Sequence, residues 1–254
     1  MFFSTHEMYG YRLQATDGEF GRVTDIYFDD AEWGVRYLVA DTGRWLPGQK
    51  VLISPVAVGP PDGSQEAIPV NLTKSEIELG PSIGEHEPVS RQHEHKLMEY
   101  FGWPAYWGGL GPYPAAGVLS TQEPPADHMS SEGARRDKEQ VKTDAHLRSA
   151  REVEGYRIQA SDGEIGHMER FVVDTEDWYI KFLVVDTRNW LPGRKVLLAP
   201  DWCSGIDWIE RLAEVHLTQE QIRNSPEYEG NEPIDPHLVD RLYEYYREWS
   251  MAKA

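Results

Sequence analysis

Apolar and polar positions are most informative from Val35 to Asp41, where Val35, Tyr37 and Val39 share one side and Arg36, Leu38 and Ala40 the other. Alternate residues of a strand share a face, and both faces here are mainly apolar, so the run predicts a central strand covered on both sides. Shorter β-branched and aromatic runs surround it: Tyr11 to Ala15, Arg22 to Phe28, Lys50 to Ser54 and Ala67 to Leu72. Turn signals separate them. Asp17-Gly18 suits a hairpin in which glycine takes a positive φ, and Pro47-Gly48 suits a type II turn. Short strands at this spacing predict an all-β barrel or sandwich.

The period then changes. Thr73-Lys74-Ser75-Glu76 and Thr218-Gln219-Glu220-Gln221 read as capping boxes opening short helices, which Pro81 and Pro226 stop. A longer helix follows near the C-terminus, with Leu238, Leu242, Tyr245, Tyr246 and Trp249 on one stripe. That stripe predicts a lid packed on a β-domain. A docking helix for another protein is the alternative it leaves open.

Residues 10 to 101 recur at 155 to 246 with a constant offset of 145 (156 − 11). Tyr11-Arg12-Leu13-Gln14-Ala15-Thr16-Asp17-Gly18-Glu19 returns as Tyr156-Arg157-Ile158-Gln159-Ala160-Ser161-Asp162-Gly163-Glu164, and Trp45-Leu46-Pro47-Gly48 as Trp190-Leu191-Pro192-Gly193. The chain is therefore divided into a first repeat with its helix (1–101), a linker (102–150) and a second repeat with its helix (151–254). From Gly102 to Pro114 the linker mixes glycine and proline with aromatics, which either staple it to a β-domain or offer contacts to a partner. From Thr121 to Lys142 it is polar and charged.

Charge and composition narrow the function classes. A net charge of −18 opposes nucleic-acid binding, because phosphates would be repelled without a basic face, and the sequence offers none. No apolar run approaches the length of a membrane-spanning helix, and the N-terminus lacks an export signal, so a cytoplasmic location is expected. Cys203 is the single cysteine. It cannot form an internal disulfide, and it is expected to be half-buried rather than nucleophilic.

Candidate chemistry is sparse. Asp17, Glu19, Asp29 and Asp41 repeat as Asp162, Glu164, Asp174 and Asp186, which suggests turn residues that accept backbone N–H bonds, with ion binding as the alternative. His86, His93 and His95 lie close in sequence but in a helical region, where residues two apart diverge, and 231, 238 and 240 of the second repeat are Asn, Leu and Asp. His167 has Arg22 as its counterpart. No catalytic residue, metal ligand or cofactor is assigned. The best candidate partner-binding surface is the repeated loop, comprising Trp45, Leu46 and Pro47 with Arg44 nearby, and Trp190, Leu191 and Pro192 with Arg188 and Arg194. Aromatic and arginine side chains dominate interface hot spots, whereas the alternative is a tryptophan that plugs the end of a small barrel, which needs large side chains to close.

Gly155 to His167, Phe182 to Val196 and the segment Asn224-Ser225-Pro226-Glu227-Tyr228 resemble tandem PRC-barrel domain proteins of bacteria. The resemblance implies two small, strongly bent β-barrels in tandem, each followed by short helices and joined by an irregular linker. It is similar to the cytoplasmic domain of the photosynthetic reaction centre H subunit and to the C-terminal domain of the ribosome maturation factor for the small subunit. In such relatives the barrel serves contact and assembly and carries no catalytic set. The expectation is thus a non-enzymatic assembly or regulatory adaptor for a protein partner the sequence does not name. Peripheral association with a membrane complex, homo-oligomerisation and internal barrel pairing stay open. The alternatives are an accessory role in photosynthetic electron or proton transfer, and divalent-metal or stress-responsive binding.

Overall fold

The run from Val35 to Asp41 forms a strand buried at every position except Asp41. The computed structural model describes residues 1–84, 89–106, 147–187, 194–228, 230 and 234–250. In chain order the first elements are β1 (Phe2–Ser4), α1 (Thr5–Met8), β2 (Arg12–Ala15), β3 (Gly18–Asp29), β4 (Val35–Asp41), β5 (Gln49–Ile53), β6 (Ala67–Pro69), α2 (Lys74–Leu79), β7 (Ile83–Gly84) and α3 (Arg91–Phe101). After the linker come β8 (Leu147–Ser149), α4 (Ala150–Val153), β9 (Arg157–Ala160), β10 (Gly163–Asp174), β11 (Tyr179–Asp186), β12 (Lys195–Leu198), β13 (Cys203–Asp207), β14 (Leu212–Val215), α5 (Gln219–Arg223) and α6 (Pro236–Ser250). The fold is mainly β. Among the described residues there are two mixed seven-stranded sheets, ordered β6-β2-β3-β4-β5-β7 with β8 added on β3, and β12-β11-β10-β9-β14-β13 with β1 added on β10.

The chain divides into two compact units that are not contiguous in sequence. One comprises Gly10–Glu32 and Arg36–Arg148; the other gathers Met1–Tyr9, Trp33–Val35 and Ser149–Ala254. The first strand of the chain therefore completes the sheet of the second repeat.

In the unit built on the first repeat, β4 lies between β3 and β5. Its core includes Leu13, Ile26, Phe28, Leu38, Ile53 and Ile68, all inaccessible to solvent. Helix α2 opens with the expected Thr73–Glu76 capping box. Leu97 and Met98 of α3 are buried, and Gly102 ends that helix at φ 69°, a left-handed cap that favours glycine. Beyond the cap, Trp103 stacks on Phe101 with centroids 4.4 Å apart. This part of the linker is stapled to its own domain.

In the unit built on the second repeat, Ile158, Phe171, Phe182, Leu183, Val184 and Leu197 form the centre of the core. Leu238, Leu242 and Tyr246 of α6 are buried against it, and Tyr246 lies 4.0 Å from the Trp202 ring. Helix α6 is thus a lid on the sheet of its own repeat. Strand β1 runs antiparallel to β10, pairing Phe3 with Val173, and Ser4 and Glu7 form a capping box at α1. The hydroxyl of Thr5 accepts the Phe171 amide at 3.2 Å. Trp33 and Trp178, both left-handed at φ 61° and 57°, each accept one main-chain bond within this unit: Val35 N–H donates to the Trp178 carbonyl at 2.8 Å and Ile180 N–H to the Trp33 carbonyl at 2.9 Å.

One turn differs from expectation. Gly18 has the anticipated positive φ, 139°, whereas Gly163 does not, and the second copy places its positive φ at Gly166, 147°. Both copies bulge at this place, β3 between Glu19 and Gly21 and β10 between Glu164 and Gly166, and in both the second glycine lies against a carbonyl, Asp41 or Asp186, where a Cβ would collide.

Candidate functional site

Trp45 begins the predicted contact loop between β4 and β5. Asp41 Oδ1 accepts the Gly43 amide at 2.8 Å and Thr42 Oγ1 accepts the Leu46 amide at 3.3 Å, so two strand-end side chains shape the turn. Gly48 closes it at φ 71°, as the Pro-Gly pair requires. The Trp45 ring is half-buried, edge-on to buried Phe20 at 6.3 Å, with Lys74 Nζ 5.0 Å from its centroid. Arg44, Pro47 and Gly48 are exposed around it, and Leu46 is half-buried. Trp45 is thus partly a plug, fixed from behind, and partly a surface side chain held in one place. Beneath the loop, a cavity of about 20 Å³ is lined by Leu46, Lys50, Leu52, Ile77, Leu97 and Phe101. It has room for a water molecule but not for an organic substrate.

In the second copy Arg188, Trp190, Leu191 and Pro192 lie outside the described residues. Arg194 is described. Its two terminal nitrogens donate to the carbonyls of Arg223 and Ser225, capping the end of α5.

A second group of polar side chains was not singled out by sequence. Arg36, at 2% exposure, sits on β4 with its guanidinium 4.0 Å over the Tyr106 ring and bonded to Glu32 at 2.7 Å. Glu94 of α3, also at 2%, accepts the Tyr106 hydroxyl at 2.6 Å and pairs with Arg91 at 3.1 Å. Burial, the largest influence, raises the Glu94 pKa; hydrogen bonds from Tyr106 and Tyr37 and the charge of Arg91 oppose it, while Asp29 adds to it. Tyr106 is pushed far above the usual phenol value by burial and by the Glu94 charge. The second repeat keeps the charged pair of this cluster as Lys181 and Asp177 at 2.5 Å, but Phe182 and Val239 stand where Tyr37 and Glu94 are (37 + 145, 94 + 145), and the Phe182 ring lies 5.8 Å from Tyr243. The signal in the sequence was Arg36, a charge on a strand whose other residues on that face are apolar.

The repeated carboxylates act as turn and cap acceptors. Asp17 Oδ1 accepts the Lys74 amide at 2.8 Å and Asp162 Oδ1 accepts the Gln219 amide at 2.7 Å, fixing the first turns of α2 and α5. Asp29 Oδ1 accepts from Ala31 and Glu32, and Asp174 Oδ1 from Glu176. Glu19 and Glu164 face Arg12 and Arg157 at 3.8 and 3.9 Å. Replacing Asp17 by Ala is expected to cost about 1 kcal/mol, as for other lost caps, and to leave the melting temperature equally insensitive to calcium. Thermal denaturation with and without the ion checks both.

His93 and His95 lie on α3 as read, and His86 is outside the described residues. Among the described residues no three His, Cys, Asp or Glu side chains converge as a metal site. Cys203 is half-buried, and burial with the nearby Asp201 charge pushes its thiol up to about 12. No helix among the described residues is long and apolar enough to cross a membrane.

The unit built on the first repeat is thus a small β-domain, a mixed sheet with short helices packed on it and an aromatic loop fixed between β4 and β5. Residues 1–76 match the PRC-barrel domain. The matched segment supplies residues to both units, because Met1–Tyr9 and Trp33–Val35 belong with the second repeat. No curated protein matches the chain.

Proposed function

We propose that the protein is a non-catalytic adaptor that works through protein contacts, in an assembly or regulatory role, and that the Trp45 loop is one of its contact surfaces. The observation that carries this reading is the PRC-barrel domain at residues 1–76, a domain of interaction and assembly. The half-buried Trp45 beside exposed Arg44 and Pro47 supports the loop as the point of contact, because an aromatic held rigid before binding loses little entropy on binding.

Capture of partners from native cells tests it, with soluble and membrane fractions processed separately. A Trp45→Ala variant that keeps its circular dichroism spectrum is expected to lose a partner that the wild type retains. Retention of every wild-type partner by the folded variant would remove the loop from the proposal. Recovery of the partner in the membrane fraction would place the adaptor at a membrane complex.

A further inference from the structure

Strand β13 ends its sheet: β14 pairs with one side of it, and no described strand pairs with the other. The turn that follows carries Ile209, 92% exposed, and half-buried Trp208. Gly205 has open space where a side chain would be. With Ile206, Asp207 and Glu214 these residues line an open concavity of about 430 Å³. An exposed edge beside exposed apolar side chains is a template for another strand unless proline or charge blocks it.

The first repeat is an internal control. Cys203–Asp207 corresponds to Val58-Gly59-Pro60-Pro61-Asp62 (203 − 145 = 58), so Pro60 and Pro61 stand where Gly205 and Ile206 are. The bridges Val58 to Val70 and Asp62 to Ala67 match Cys203 to Val215 and Asp207 to Leu212, so the two ends of the pairing persist. Between them the first repeat forms no strand, since proline has no N–H to give. One repeat closes this edge and the other opens it.

Charge selects the occupant. Asp207, Glu210 and Glu214 are exposed along the hairpin and Asp201 just before it, with Arg211 as the hairpin's one arginine or lysine. A second copy would set carboxylates against carboxylates in a chain of net charge −18, which opposes self-pairing. We propose that β13 is a docking edge to which a partner protein adds an extended segment of alternating basic and apolar residues. Main-chain bonds to the edge supply affinity, Ile206 and Ile209 take the apolar side chains, and the carboxylates select the basic ones. The proposal rests on the reading of the chain as a contact protein, but not on the Trp45 loop.

The test uses the full chain and a fluorescent peptide of alternating Lys and Val, read by anisotropy. Two control peptides accompany it, one with Glu for Lys and one interrupted by Pro. The Lys-Val peptide is expected to bind saturably, and each control to bind at least about tenfold more weakly. The variant Gly205→Pro/Ile206→Pro, which copies the first repeat, should weaken binding by a similar factor. Glu210→Lys/Glu214→Lys should do so without touching the main chain, and decides the matter if the proline variant fails to fold. Trp45→Ala should bind as the wild type does, which separates this edge from the loop. Absence of wild-type binding, equal binding of the Glu-Val peptide, or undiminished binding by both folded variants would overturn the proposal. Sedimentation showing a dimer that the proline variant abolishes would also overturn it, by making the occupant a second copy.

Discussion

Deleting residues 2–8 is expected to loosen the unit built on the second repeat while leaving the sheet of the first repeat protected. These residues lie in the unit that contains Ser149–Ala254. Phe3 and Met8 are buried there, at 8% and 0% exposure. Losing two such side chains removes about 3–6 kcal/mol of apolar burial. The Phe171 amide would also lose its acceptor on Thr5. That sum is comparable with the whole stability of a small domain. Amide hydrogen exchange separates the outcomes. Protection in β10 and β11 should fall sharply in the deletion variant, whereas β2 and the Val23 to Phe28 stretch of β3 should stay protected. Loss confined to β2 and β3 would contradict the sheet assignment.

Glu94→Ala should destabilise the first-repeat unit strongly, by about 2–3 kcal/mol, because it leaves half-buried Arg91 and the Tyr106 hydroxyl without their shared acceptor. Glu94→Gln keeps an acceptor and the volume, so its cost should stay within about 1.5 kcal/mol. The two variants also separate charge from hydrogen bonding. Folded Glu94 has a pKa raised above 4.5, chiefly by burial, so between 4.5 and the raised value the folded state binds more protons than the unfolded one. The stability this residue contributes is full below 4.5 and declines as pH rises through the folded pKa. Glutamine does not titrate. Urea denaturation across that window should therefore show the Gln variant gaining on the wild type as pH rises, and a difference that does not change with pH would refute the assignment.

How much could be read in advance depended on how local the cause was. Strand β4 was legible because burial on both faces leaves a continuous apolar pattern, and α2 and α5 were legible because a capping box is written in four residues. Strand β1 was not, since Phe2-Phe3-Ser4 is too short to show alternation and nothing local says which strand it joins. Its helix did carry a signal, the Ser4 to Glu7 box, of the same kind as the two that were read. The Glu94 cluster was hidden for a different reason. A glutamate between two histidines on a helix looks solvated, and only the arrival of β4 and Tyr106 encloses it. Of the contact loop, Trp45, Leu46 and Pro47 are where the Pro-Gly turn implied, but whether a tryptophan is plug or anchor depends on Phe20 and Lys74, which are distant in sequence. Strand β13 has serine and glycine at its centre and two prolines in its counterpart, so propensity argued against it.

The pairing of Ser4 with Val172 spans 168 positions (172 − 4). A ribosome releases β1 long before it has made β10, so the earliest segment of the chain waits through the synthesis of a whole repeat before its partner exists. Closing so large a loop adds little to the equilibrium cost, because that entropy grows only logarithmically with length. It weighs more on the rate, since contacts so distant in sequence slow folding. During that wait β1 is a free apolar strand next to a newly made sheet of closely similar sequence, and correct folding requires that it not settle there first.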